Sequence, residues 1–121
     1  MAQNVTLIIY TPEKTALNRK VYRVVLPYGN TNLTVLEDRA PTSLVLNAGV
    51  LQILREDDSV EEAYFIDQGV ADVADNVCKI SAAHLIAKNE ITEKEAEELA
   101  SQEPQNADFY HTISNYLQIF G

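Results

Sequence analysis

One cysteine and two histidines are the residues of this chain with the means for nucleophilic or acid–base chemistry. Cys78 and His84 stand six residues apart. A thiol next to an imidazole could carry acyl transfer if a third group oriented the base, and the sequence offers no such group. Cys78 falls in VCKIS (77–81), a strand-like run where a free cysteine behaves as a small apolar residue. His84 falls in SAAHLIA (81–87), which reads as a linker between a strand and a helix. His111 lies between Tyr110 and Thr112, on the expected polar face of the last helix, and two histidines so far apart have no metal-ligand spacing. Gly29, Gly49, Gly69 and Gly121 are isolated, so there is no phosphate-cradling loop. Tyr10, Tyr22, Tyr28 and Tyr64 lack the basic cluster that a nucleic-acid stacking surface needs. The residues therefore read as those of a non-catalytic chain, with no cofactor and no metal.

The elements that would hold these residues change character near residue 88. Before it the pattern is β. Val5, Leu7 and Ile9 alternate with outward positions, the period of a strand with one buried face. VYRVVL (21–26), LTVL (33–36), SLVLN (43–47), VLQIL (50–54), EAYFI (62–66), VADVA (70–74) and VCKIS (77–81) follow, separated by turn-forming residues. Asp75-Asn76 is a two-residue hairpin candidate because both residues tolerate positive φ. Gly49 and Gly69 mark positions where a side chain would not fit. Many short strands with no helix between them predict a β-sandwich or barrel over residues 1–88. After residue 88, ITEKEAEELASQ is rich in helix formers, and Thr92 followed by Glu95 fits a capping box. Pro104 and Asn106 break the run. A second helix then carries Phe109, Ile113, Tyr116, Leu117 and Phe120 at helical spacing. Helices this short are marginal alone in water, so the hairpin over 89–121 must dock on the sandwich or on a partner. The fold class is mainly β with an α appendage.

Composition removes several partners. The chain has 121 residues, enough for one core, and a net charge of −9. That charge opposes a phosphate backbone and an anionic lipid surface, and leaves a basic protein partner open. No apolar run approaches the roughly 20 residues that cross a bilayer, so direct insertion is not expected. The opening MAQNVTLIIYTPEK has no basic flank and too short an apolar run for a signal peptide.

The central run LTVLEDRAPTSLVLNAGVLQIL (33–54) carries a family resemblance. Ala40-Pro41, a few apolar residues, Gly49 and another strand resemble the sandwich of the epsilon subunit of F-type ATP synthases. The family's Gly-rich corner before Ala-Pro corresponds to NLTVLEDR (32–39), which has lost the glycines. Its Y-x-x-G-G corresponds to YFIDQGV (64–70), with Gly69 kept, and ADNVCKISAA (74–83) matches the hairpin and strand that follow. Sandwich first and helical hairpin last extends the likeness over nearly the whole chain, and the resemblance implies a mainly antiparallel β-sandwich of about ten strands in two sheets ahead of the hairpin. The resemblance implies a rotor subunit that ties gamma to the c-ring and couples proton or sodium flow to ATP synthesis. It would lie on the cytoplasmic face of the inner (plasma) membrane, peripheral through the complex. It also implies an interface at the corner, here Gly29, Asn30, Thr31, Asn32, Glu37, Asp38 and Arg39. From the residues alone the same stretch reads as a solvated turn.

Two departures from the family bear on regulation. Where many bacterial members begin the first helix L/I-D-x-x-R-A and bind ATP there, this chain has ITEKEA, residues 91–96. Ile91 and Ala96 are kept, but Thr92 replaces the acid and Glu95 replaces the arginine, which reverses the sign of the contact with phosphate. No useful ATP affinity is expected. Residues 90–121 hold seven acids and one lysine, a net charge of −6. In inhibitory members this hairpin reaches catalytic beta subunits with basic residues toward acidic loops. Here such an approach would be repulsive, so a weak inhibitor or none is expected, with the hairpin folded on the sandwich. The alternative is a stand-alone β-sandwich module for a peptide or carbohydrate, with a helical tail.

Overall fold

In the computed structural model, residues 5–28, 31–35 and 40–120 are described. The alternating runs become strands of two five-stranded sheets. The first sheet has the order β2 (Lys14–Val21), β1 (Val5–Thr11), β9 (Val77–Ala82), β8 (Gly69–Ala74), β5 (Thr42–Leu46). The second has the order β10 (Leu85–Ala87), β7 (Val60–Ile66), β6 (Gly49–Leu54), β3 (Arg23–Tyr28), β4 (Thr31–Val35). Every pairing is antiparallel except β1 with β9, which run parallel with Leu7 opposite Cys78. Val5, Leu7 and Ile9, with Leu44, Leu46, Val73, Cys78 and Ile80 of the same sheet, share one core with Leu51 and Ile53 of the second sheet. Period-2 alternation is what places one face of each strand there.

The turns obey their residues. Asp75 and Asn76 take φ of 52° and 61°, the left-handed pair that closes β8 onto β9. A Cβ added at Gly69 would lie 2.5 Å from the carbonyl oxygen of Ser81, so only glycine lets β8 start this close to β9.

Three local expectations change. VYRVVL does not form one strand: Val21 ends β2 in the first sheet and Arg23 begins β3 in the second, so the chain crosses between sheets at Tyr22. Strand β2 itself was hidden, because KTALNRKV is an edge strand that fully buries only Val21. The stretch read as a linker at His84 contains β10, three residues paired with Tyr64–Ile66.

The helices are α1 (Glu93–Gln102) and α2 (Ala107–Phe120), each preceded by a 3-10 turn, Lys88–Glu90 and Pro104–Asn106. They lie on the outer face of the second sheet. Successive residues of β7 divide the labour: Ile66 enters the inter-sheet core and Phe65 points into a second core under the hairpin. There Phe65 meets Ile91, Ala96, Ala100, Phe109, Tyr110 and Ile113, with Val50 and Ile86 at the margin. The sandwich therefore takes the apolar stripe of α2, up to its last turn. Phe120 is 66% exposed.

Candidate functional site

The two residues with chemical potential are held apart in role. Cys78 is fully buried in the inter-sheet core, and burial pushes its thiol up to about 12, so no thiolate forms near neutral pH. His84 sits at the end of the sandwich. Its Nδ1 lies 3.1 Å from Asp67 Oδ2, and its backbone oxygen accepts from the Asp67 amide. Its ring stacks on Phe109 at 5.5 Å and 18°. No hydrogen bond among the described residues joins Cys78 to His84. His84 serves instead as a contact between the sandwich and α2, a role the sequence marked only as a histidine near an element boundary. His111 is exposed on α2. Among the described residues no group of three His, Cys, Asp or Glu side chains could hold a metal ion.

The four positions of the degenerate nucleotide motif sit at the start of α1. Thr92 is the N-cap, and its hydroxyl accepts from the Glu95 amide at 3.2 Å while the Thr92 amide donates to Glu95 Oε1 at 3.1 Å. The two side chains thus satisfy two free amides of the helix end reciprocally. Ile91 and Ala96 are buried in the second core. Each motif position already has a partner within the fold. The hairpin is fastened further along by Lys88, whose ammonium lies 5.5 Å from the Tyr116 ring centroid, and by the edge contact of Phe65 with Tyr116.

Of the corner residues, Thr31 and Asn32 open β4 at the end of the β3–β4 hairpin, opposite Tyr28 and Pro27, and Asn32 is exposed. Gly29, Asn30, Glu37, Asp38 and Arg39 lie outside the described residues.

A surface that the sequence reading passed over is the outer face of the first sheet. Cross-strand register puts Tyr10 opposite Ser81, Ser81 opposite Val70, and Val70 opposite Val45. Val45 is 70% exposed and Val70 47%. Beside this row Ser43 donates to Asp72 Oδ1 at 2.6 Å, and Lys79 stands opposite Asp72. The face is apolar at one row and nearly charge-balanced at the next, in a chain that is otherwise strongly acidic. The signal was present in the letters: Val45 and Val70 are apolar residues out of phase with Leu44, Leu46, Ala71 and Val73.

Comparison with known proteins agrees with this architecture. The family model of the ATP synthase delta/epsilon chain, beta-sandwich domain, matches residues 4–88. An ATP synthase epsilon chain of Rhizobium johnstonii is 27% identical over 113 residues, covering 91% of this chain and 83% of that one. The fold is similar to a chain in the Euglena gracilis mitochondrial ATP synthase (OSCP/F1/c-ring in rotational state 1), with TM-score 0.70 at 18% identity over 88% of this chain and 67% of that chain. It is also similar to one in the Tetrahymena thermophila mitochondrial ATP synthase central stalk and c-ring, with TM-score 0.60 at 19% identity over 93% and 97%. The match spans every strand of the sandwich, from β1 to β10, and the relative extends it into the hairpin: this chain belongs to the ATP synthase delta/epsilon chain family, as an epsilon-type member.

Proposed function

We propose that this chain is a non-catalytic rotor part of an F-type ATP synthase, gripping a gamma-type shaft on one side and the c-ring at one corner. Held at two places, a stiff sandwich couples proton or sodium flow to ATP synthesis carried out by other subunits. The observation that supports this most is the inequality of the two outer faces. The hairpin covers the second sheet, whereas the first sheet leaves its Tyr10–Val70–Val45 row open for a partner. The corner around Thr31 and Asn32, with the neighbouring residues named above, is the ring contact in this reading. The division into a sandwich at 1–88 and a hairpin at 89–121 belongs to it as well.

The hairpin is then a folded-back appendage with no useful ATP affinity and weak or no inhibition of hydrolysis. Thr92 and Glu95 are engaged with each other, and no guanidinium stands where a phosphate would need one. The subunit is peripheral, at the cytoplasmic face of the membrane, through the complex. No helix among the described residues is long and apolar enough to cross a bilayer. The stand-alone binding module has no observation of its own in its favour.

Affinity purification of the tagged chain from cells that make the whole synthase tests the reading. Gamma should co-purify in stoichiometric yield, and the double variant Val45→Lys/Val70→Lys should lose it while keeping its fold. Absence of gamma from the purified material, or full retention by the double variant, overturns it.

A further inference from the structure

The joint between the sandwich and the hairpin holds a side chain of the one type that ordinarily changes charge near neutral pH. His84 stands between the end of β9 at Ala82 and the start of β10 at Leu85. Its Nδ1 lies 3.1 Å from Asp67 Oδ2, and Asp67 Oδ1 accepts from the Gln68 amide at 2.8 Å. The Asp67 amide donates to the His84 backbone oxygen, so both residues are fixed on the sandwich. The partner on the ring face comes from α2. Phe109 lies nearly parallel to the imidazole, at 18° and 5.5 Å between centroids, and is itself buried in the second core. Undocking the hairpin would take Phe109 away from the ring and leave Asp67 beside it.

Docking therefore changes what a positive charge on this ring is worth. The face of Phe109 attracts an imidazolium at such a separation more than it attracts a neutral imidazole. Asp108, in the first turn of α2, lines a cavity of about 270 Å³ together with Asp67 and Phe109. The helix thus brings a carboxylate that offsets the positive end of its own dipole. Lost hydration opposes the charge, but the His84 side chain keeps 35% of its surface in contact with water, so that opposition is small. The other charged groups nearby do not decide the sign. Glu13 and Lys14, from the turn between β1 and β2, line one cleft with His84 and carry opposite charges. Glu103, between the helices, is engaged by Asn106 and Tyr110. We propose that His84 is a proton-operated latch: a proton on its ring fastens the hairpin to the sandwich, and loss of that proton loosens it. Docking is then linked to proton uptake, so it gains as pH falls through the range where histidine charges and weakens as pH rises through it. The latch stands apart from the rotor reading, which uses the opposite sheet.

Native-state hydrogen exchange of the full chain tests it, with rates divided by the intrinsic exchange rate at each pH. Protection of the α2 amides at 113–117 should rise at least about threefold between about pH 8 and about pH 6. His84→Gln, at a part-exposed position, should leave that protection flat over the same range. Phe109→Leu keeps an apolar side chain in the second core and removes the ring, so the rise should shrink. His111→Gln removes the other histidine, exposed on α2, and should keep the full rise. The latch is overturned by a flat or reversed profile in the parent, by a rise that persists in His84→Gln, by an undiminished rise in Phe109→Leu, or by its loss in His111→Gln.

Discussion

At the scale of single residues the fold is readable in what each side chain is denied. Cys78 is denied water, and its thiol is pushed up from 9.0 to about 12. Tyr64 is raised from 10.0 to about 12, first by burial and then by its hydrogen bond to Glu62. Both folded values lie above the unfolded ones, so the folded state keeps protons that the unfolded chain releases. Their stabilisation is complete below about pH 9 and is lost as pH rises toward 12. Urea midpoints are therefore expected to fall between pH 9 and 11.5. Cys78→Val, which removes the thiol and keeps the site apolar, should flatten the part that begins near 9 and leave the part that begins near 10, the unfolded value from which Tyr64 and Tyr110 are both raised. A variant whose midpoints fall as steeply as the parent's from pH 9 would show that Cys78 is not the source. Gly69 is denied a Cβ by the Ser81 carbonyl 2.5 Å away. Gly69→Ala must push β8 from β9 or bend the strand, and should destabilise by about 1–3 kcal/mol in equilibrium unfolding at neutral pH.

Elements show which patterns carry information and which do not. The start of α1 is specified by two letters, and removing one tests that directly. Thr92→Ala leaves the Glu95 amide without its partner and should lower stability by about 1 kcal/mol, with faster hydrogen exchange at that amide. Thr92→Asp keeps a capping oxygen and should keep most of the stability; equal exchange in all three proteins would sink the assignment. The same logic explains the reading of the sandwich. Strands β1, β8 and β9 were legible because each buries alternate residues, and the turn Asp75-Asn76 because few pairs accept positive φ twice. Strand β2 was not, since an edge strand with one fully buried residue has no period to read. Strand β10 has three residues and is defined only by its partner Tyr64–Ile66. The break at Tyr22 escaped because a continuous apolar run does not say which sheet each half joins. At the candidate site, Thr92 and Glu95 were visible from spacing alone. The stack of His84 on Phe109 was not, because the partners lie far apart in sequence and meet only through docking.

For the whole molecule the question is whether the hairpin ever leaves the sandwich. Its −6, taken from the chain's −9, leaves −3 on the sandwich, so electrostatics alone would push the two parts slightly apart. What holds them is the second core. Undocking would expose Phe65, Phe109 and Ile113, each buried at present and each worth roughly 1.5–3 kcal/mol. It would also part His84 from Phe109 and Lys88 from Tyr116. Three such side chains outweigh screened repulsion between surface charges, which is why the folded-back state is the one observed. An extended hairpin would then have to recover that energy from a catalytic subunit, and toward an acidic loop it carries seven acids and one lysine. Like charge supplies the opposite of recovery. In an assembled synthase, deletion of residues 90–121 should therefore leave ATP hydrolysis within about twofold of the intact enzyme, the range of a contact worth less than ~0.5 kcal/mol. The deletion bares Phe65, so incorporation of the shortened subunit has to be read from the purified complex alongside the rate. Phe109→Ala, which loosens docking and removes no charge, supplies the second arm and should leave the rate equally unchanged. A several-fold rise in hydrolysis on deletion, with the subunit still in the complex, would mean that the hairpin inhibits despite its charge, by a contact other than ion pairing.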